Sequence, residues 1–202
     1  PVRVATPQIR SFPDPALVEE AAKLLRKAAR PVLLIGGGAN YSGAGTALIQ
    51  LAERTGAPVV NSPTSRGVLP ESNPLVLGCA GIIGYEPVGD AIREADLVLA
   101  IGSRLSDIQT SRGELLPANA PIIQVDIDAV ALGKEYPPMV GIVSDAKAFA
   151  DALNETLEAD PSPIPDARRH WTASLADRYT AWRNAWLSSS PENGQVQPQE
   201  IV

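Results

Sequence analysis

From Ala16 to Ala29 the apolar positions Leu17, Val18, Ala21, Leu24, Leu25 and Ala28 recur with a period of 3.6 residues, one side of a helix. Asp14 and Pro15 stand before it as an N-cap and a first-turn proline, and Pro31 bounds it beyond its end. The pattern then changes. Residues 32–35 are wholly apolar and close on Gly36, Gly37 and Gly38, which reads as a buried strand meeting a turn. Helical spacing returns over residues 42–56, with Ala47, Leu48, Leu51 and Ala52 on one face and Gly56 as a stop. Short strands are predicted over residues 58–62, 75–78, 97–102, 122–127 and 141–144, and helices over 87–95 and 145–157. Short apolar strands alternating with helices imply an α/β fold, a parallel sheet covered on both faces.

The first and fourth strands end alike, in Ile35-Gly36-Gly37-Gly38 and Ile101-Gly102-Ser103-Arg104. In a doubly wound sheet the strand order reverses between two such strands, and ligands sit beyond their carboxyl ends. Glycines there let backbone N–H groups approach a phosphate, and Arg104 on the facing loop is expected either to bind the same phosphate bidentately or to be a solvated loop residue. The competing reading is that the glycines serve only a tight turn and close helix packing. The nicotinamide fingerprint is not met, because Tyr41 stands where its third glycine belongs, and Asn61 and Ser62 replace a ribose-binding acid. A Walker loop also fails, since Ala44-Gly45 follows Gly43. Asp126, Asp128 and Asp145 end the later strands. They suit ribose or adenine contacts, or equally a turn and a helix N-cap.

Composition narrows the chemistry. A single His (His170) and a single Cys (Cys79) among 202 residues cannot build a zinc site or a multi-His metal site, and a nucleophilic relay would have to run through His170. Lys and Arg number 17 against 23 acids and never cluster beyond Arg168-Arg169, so nucleic acid is not an expected partner. No apolar run approaches the roughly 20 residues that span a bilayer, and one unpaired thiol fits the cytoplasm. Nine of the 19 prolines fall in residues 1–15 and 161–202, which sets two tails apart from a core. The chain opens on Pro1, not on Met, and stops at "PQEIV", as a piece of a longer protein would.

The segments "RPVLLIGGGANYSGAGTALIQLAERTGAPVV", "SRGVLPESNPLVLGCAGIIG", "EADLVLAIGSRLSD", "IIQVDIDA" and "IVSDAKAFADAL" resemble, in order and spacing, the central domain of thiamine-diphosphate-dependent enzymes of the acetolactate synthase type. The resemblance implies a three-layer Rossmann-like domain over residues 16–158, with a six-stranded parallel sheet of order 3-2-1-4-5-6. Residues 1–15 would then be the exit from a preceding pyrimidine-binding domain, and residues 159–202 a linker leading to a pyrophosphate-binding domain. In such enzymes those two outer domains hold thiamine diphosphate and Mg²⁺, through a Glu and a G-D-G…N motif. Gly-Asp-Gly does not occur here, so the resemblance implies a non-catalytic middle third with no metal ligands of its own, inactive alone and working with its flanking domains in a homo-oligomer.

Flavin-containing members carry FAD across the crevice of this domain. Carried over by motif, Gly36, Gly37, Gly38, Gly102 and Arg104 would meet its pyrophosphate or ribityl region, Ser62 and Pro63 would lie near the cofactor, and Asp126, Ile127 and Asp145 would meet the adenosine end. The likeness is incomplete. Where those members read Gly-x-Arg-Phe-Asp-Asp-Arg, this chain has Gly102-Ser103-Arg104-Leu105-Ser106-Asp107-Ile108, and Gly81-Ile82-Ile83-Gly84 replaces Gly-Met-His-Gly. FAD, another nucleotide or no ligand all stay open. So do two other functions, a stand-alone module of electron-transfer-flavoprotein type and a thiamine-diphosphate hydrolase acting on a cyclic diketone. A sirtuin-type deacylase would lack its base, as His170 lies outside the core.

Trp171, Leu175, Tyr179, Trp182 and Trp186 step by four, four, three and four, one face of a helix. That face is expected to pack on a neighbouring domain or a second subunit, and so to drive self-association of the isolated chain.

Overall fold

The computed structural model describes residues 10–188. Of the expected tails, 1–15 and 159–202, residues 1–9 and 189–202 lie outside the described residues. Six strands, β1 (Pro31–Ile35), β2 (Val59–Asn61), β3 (Val76–Cys79), β4 (Leu97–Ile101), β5 (Ile122–Asp126) and β6 (Val140–Val143), pair in parallel in the order β3-β2-β1-β4-β5-β6. This is the expected topology.

Strand side chains alternate between the sheet's faces, and so divide the core in two. Leu33, Ile35, Leu97, Leu99 and Ile101 pack with α1 (Pro15–Lys27), α3 (Gly45–Thr55) and α6 (Ala146–Ala159). Val32, Leu34, Val98 and Ala100 pack on the other face beneath α4 (Glu86–Arg93) and α7 (Asp166–Ser188). The apolar stripe of α1 buries Val18, Ala21, Ala22 and Leu25, and the Asp14 carboxylate caps it by accepting from Ala16 N–H at 2.8 Å. Gly56, at φ +66°, ends α3 in the left-handed region that favours glycine.

The boundaries move where glycine and short turns intervene. The glycines after β1 open a five-residue helix, α2 (Gly37–Tyr41), so the longer helix expected from Ser42 starts at Gly45. β3 and β6 each shift by one residue from the predicted spans. A four-residue helix, α5 (Asp107–Thr110), lies in the loop after β4, where no element was predicted.

The largest difference concerns α7. Its aromatic face, expected to seek a foreign surface, is largely covered by this chain: Leu175 is buried, and Trp171 and Tyr179 pack against the second core cluster. Tyr85 meets Trp182 with ring centroids 4.8 Å apart. Arg168, in the first turns of α7, explains how the helix is docked. It is 3% exposed and donates to the backbone carbonyls of Leu25 (2.6 Å) and Thr55 (2.8 Å), and to that of Ala28. One guanidinium thus serves the C-terminal ends of both α1 and α3, where unpaired carbonyls carry partial negative charge. Burial pushes its pKa down, against the opposing pull of Asp96.

Candidate functional site

β1 and β4 run side by side, Ile35 opposite Ile101. The chain leaves β1 toward α3 on one face, whereas α4 delivers it to β4 from the other. The divergence opens a crevice of about 840 Å³ at the carboxyl ends of the strands. All ten residues singled out from the sequence line it: Gly36, Gly37, Gly38, Ser62, Pro63, Gly102, Arg104, Asp126, Ile127 and Asp145.

What each does there differs from the expectation in several cases. Gly36 N–H donates to Ile101 O and Gly38 N–H to Gly102 O, both at 3.0 Å. Those two N–H groups are therefore committed to the β4 loop and do not face a phosphate. The reason these positions are glycine is packing: a Cβ on Gly36 would lie 2.2 Å from Gly102 O, and one on Gly38 would lie 2.8 Å from Gly102 Cα. Gly102 sits at φ +59°, with Ala39 N 2.6 Å from any Cβ it might carry. Close packing accounts for glycine at these three positions.

The β2 side of the crevice is a hydroxyl cluster. Ser65 Oγ donates to Ile35 O (2.7 Å) and accepts from Ser62 N–H (2.9 Å), which ties the loop to the end of β1. Ser62 Oγ and Thr64 Oγ1 are 3.0 Å apart, and Thr64 is a lining residue the sequence reading passed over. On the opposite side Arg104 is 73% exposed at its side chain and lies 3.8 Å from Asp128 Oδ2, a loose pair at the rim.

The acids at the far end carry local structure. Asp145 Oδ1 caps α6 by accepting from Ala148 N–H at 3.0 Å, and it also receives Arg10 Nη1 at 2.7 Å. Arg10 Nη1 reaches Ser42 O at 2.9 Å as well, so it spans from the end of α2 to the start of α6. Asp126 Oδ1 accepts from Asp128 N–H, and Asp128 in turn accepts from Val130 N–H. Turn and cap are thus real roles for these carboxylates.

Gln109 was not singled out from the sequence. It is 5% exposed, lines the crevice from α5, and its Oε1 lies 2.5 Å from Ser103 Oγ. Leu105, between them in the chain, is held at φ 51°, an uncommon conformation for a non-glycine residue. Neither lone reactive residue takes part. Cys79 is buried at the end of β3, where burial pushes its pKa up and keeps it a thiol. His170 is exposed on α7 and is not among the crevice residues. No group of three or more His, Cys, Asp or Glu among the described residues is placed to hold a metal ion. No described helix is long and apolar enough to cross a membrane.

A doubly wound sheet with a glycine-floored crevice at its switch point defines a Rossmann-like α/β domain. More narrowly, the chain belongs to the family described as the central domain of thiamine pyrophosphate enzymes, which it matches over residues 18–153. It is 34% identical over 191 residues to an acetolactate synthase of Mycobacterium avium, covering 94% of this chain and 30% of that one. It is 39% identical over 145 residues to a probable acetolactate synthase large subunit of Methanocaldococcus jannaschii, covering 72% and 24%. An acetolactate synthase large subunit of Porphyra purpurea is 31% identical over 183 residues, covering 90% and 30%. The chain therefore spans about a quarter to a third of the length of these curated relatives. The comparisons support the acetolactate-synthase-like reading and not the flavoprotein-module or diketone-hydrolase alternatives.

Proposed function

We propose that this chain is the non-catalytic middle part of a thiamine-diphosphate-dependent carboligase or decarboxylase acting on a 2-oxo acid. Its own task is to position the pyrimidine-binding domain before it and the pyrophosphate-binding domain after it, with residues 1–15 and 159–202 as the connections. The enzyme is a cytoplasmic homo-oligomer. Among the described residues no group of His, Cys, Asp or Glu is placed to hold Mg²⁺. Thiamine diphosphate and Mg²⁺ belong to the flanking domains.

The crevice binds a nucleotide, with FAD as the leading candidate. The observation that carries this reading is the convergence of ten residues from five strand ends on one volume of about 840 Å³, within the size range of ligand cavities. The Ser62 and Thr64 hydroxyls and Arg104 are the groups available to phosphate and ribityl oxygens. Asp126 and Asp145 stand at the end suited to an adenosine. FAD would supply an isoalloxazine ring, and this chain would supply only its binding. Titration of the protein with FAD, NAD and ADP, followed by flavin fluorescence and thermal melting, tests the reading. Saturable binding of at least one of the three in the micromolar range supports it; no binding and no rise in Tm with any of them would sink it.

A further inference from the structure

Three hydroxyls on the β2 side of the crevice form a chain whose protons can be counted. Ser65 is fully buried and Ser62 is 4% exposed, so their hydrogen bonds are settled among neighbouring protein groups. Ser65 Oγ lies 2.7 Å from Ile35 O, and a carbonyl only accepts, so the single Ser65 proton is spent there. Ser62 Oγ, 3.1 Å from Ser65 Oγ, is then the donor of that pair. With the Ser62 proton committed in turn, Thr64 Oγ1 is the donor across its 3.0 Å contact with Ser62 Oγ. Every proton in the chain points inward, from Thr64 to Ser62 to Ser65 to the end of β1. What remains on the Thr64 hydroxyl is lone pairs, an acceptor with no proton to give.

Unlike the two serines, Thr64 is exposed, and it lines the crevice. The space before its hydroxyl is open because of Gly37. A Cβ on that glycine would lie 3.0 Å from Thr64 Oγ1 and 4.0 Å from Tyr41 Cε2. Gly36, Gly38 and Gly102 are pressed against backbone, whereas the bare side of Gly37 meets these two side chains, both of which line the crevice. The subsite therefore has a main-chain floor, an aromatic wall and one accepting hydroxyl. The oxygens of a pyrophosphate diester carry no proton and would set acceptor against acceptor there; a sugar hydroxyl supplies the proton the site lacks.

Position tells which sugar. β2 and β5 are separated by β1 and β4, three strand spacings or about 14 Å. Asp126 ends β5 and Asp145 caps the helix after β6. A nucleotide with its adenosine at those carboxylates and its pyrophosphate over the seam between β1 and β4 would reach Thr64 with the sugar that lies beyond the pyrophosphate.

We propose that Thr64, its proton held by Ser62, is a specificity-determining residue of the crevice. It accepts a hydrogen bond from a hydroxyl of the second sugar of a dinucleotide, and so favours such ligands over ADP, which ends short of it. The inference rests on the nucleotide-binding reading above. Two sources share this chemistry, the ribityl chain of a flavin dinucleotide and the second ribose of a nicotinamide dinucleotide, and separate FAD and NAD arms tell them apart.

The test measures FAD, NAD and ADP affinities of the wild-type protein, Thr64→Val and Thr64→Ser, with melting curves to verify folding. The wild type is expected to bind FAD or NAD more tightly than ADP. Thr64→Val keeps the shape of the side chain and removes the acceptor, so it should weaken that dinucleotide about five- to tenfold, the weight of one neutral hydrogen bond, and leave ADP within about twofold. Thr64→Ser restores the hydroxyl and should bring the dinucleotide back to within about twofold of the wild type. Equal dinucleotide affinity in wild type and Thr64→Val, no recovery in Thr64→Ser, or a parallel loss for ADP, as a phosphate at this position would give, overturns the role of Thr64 while leaving nucleotide binding in place. So does a wild type that binds ADP as tightly as both dinucleotides. Failure of the wild type to bind any of the three overturns both readings. Should Thr64→Val not fold, Thr64→Ala gives the second measurement: it also removes the hydroxyl, should weaken the dinucleotide by a similar factor and spare ADP, and no change there overturns the proposal.

Discussion

A methyl group added to Gly36 would meet the Gly102 carbonyl oxygen at 2.2 Å and Ser103 Cα at 2.7 Å, both in backbone that is itself held by hydrogen bonds. Gly36→Ala is therefore expected to cost about 3 kcal/mol of stability, as overpacking against an unyielding neighbour does. Gly43, at φ +66° with nothing within 4 Å of a built Cβ, has only the conformational requirement, and Gly43→Asn should cost about 1 kcal/mol, less than Gly36→Ala. Urea unfolding of the two variants separates a packing requirement from a conformational one. At this scale the sequence was legible in part. A run of three glycines after an apolar strand lines the crevice, but the sequence does not say whether their N–H groups face a ligand or the neighbouring loop, because that depends on how closely β4 approaches. Gln109 was invisible for a different reason: an amide in a polar stretch has no signature until its burial is seen.

Among the elements, α7 depends on two fastenings. Removing the first, by Arg168→Met, leaves the terminal carbonyls of α1 and α3 without their buried donors. A loss of about 3 kcal/mol is expected, read as a lower Tm, in keeping with the weight of hydrogen bonds to a charged group plus the carbonyls left unsatisfied. The second is Glu94 at the end of α4, which receives Arg178 Nη1 at 2.7 Å, Arg178 Nη2 at 2.9 Å and Trp171 Nε1 at 2.9 Å. The bond from Arg178 is the main reason the Glu94 carboxyl is held below its ordinary value of 4.5, with Trp171 helping and burial opposing. A depressed carboxylate pKa gives stability that is fully present above 4.5 and is lost as pH falls through the lower, folded-state value. We therefore expect α7 to loosen as the pH is taken well below 4.5, seen as a red shift of tryptophan emission. In Glu94→Gln that red-shifted transition should be absent or much reduced over the same range. Because the pair is well exposed to solvent, its contribution is small, on the order of 1 kcal/mol. Neither fastening could be read from the sequence: Arg168 looked like one half of a basic pair, and the aromatic stripe gave a face without saying what covers it.

For the whole molecule, alternation of apolar runs and helical periods was enough to define a parallel α/β sheet, since helices between successive strands cover both faces of the sheet and return the chain in parallel. Strand order came from the resemblance in five ordered segments and is the order observed. The short pieces α2 and α5 escaped because four or five residues are too few to show a period.

The seam between the β1 and β4 loops has a kinetic meaning. Gly36 and Gly38 each bond across it, and Gly102 N–H donates onward to Val125 O at 2.8 Å. The two halves of the crevice are thereby stitched through main-chain atoms into the sheet itself, so the groove cannot part like a hinged jaw without tearing a strand pairing. A nucleotide bound as proposed would meet a ready-made mould. Arrival is then governed by diffusion and steering, and differences among ligands are written in how long each one stays.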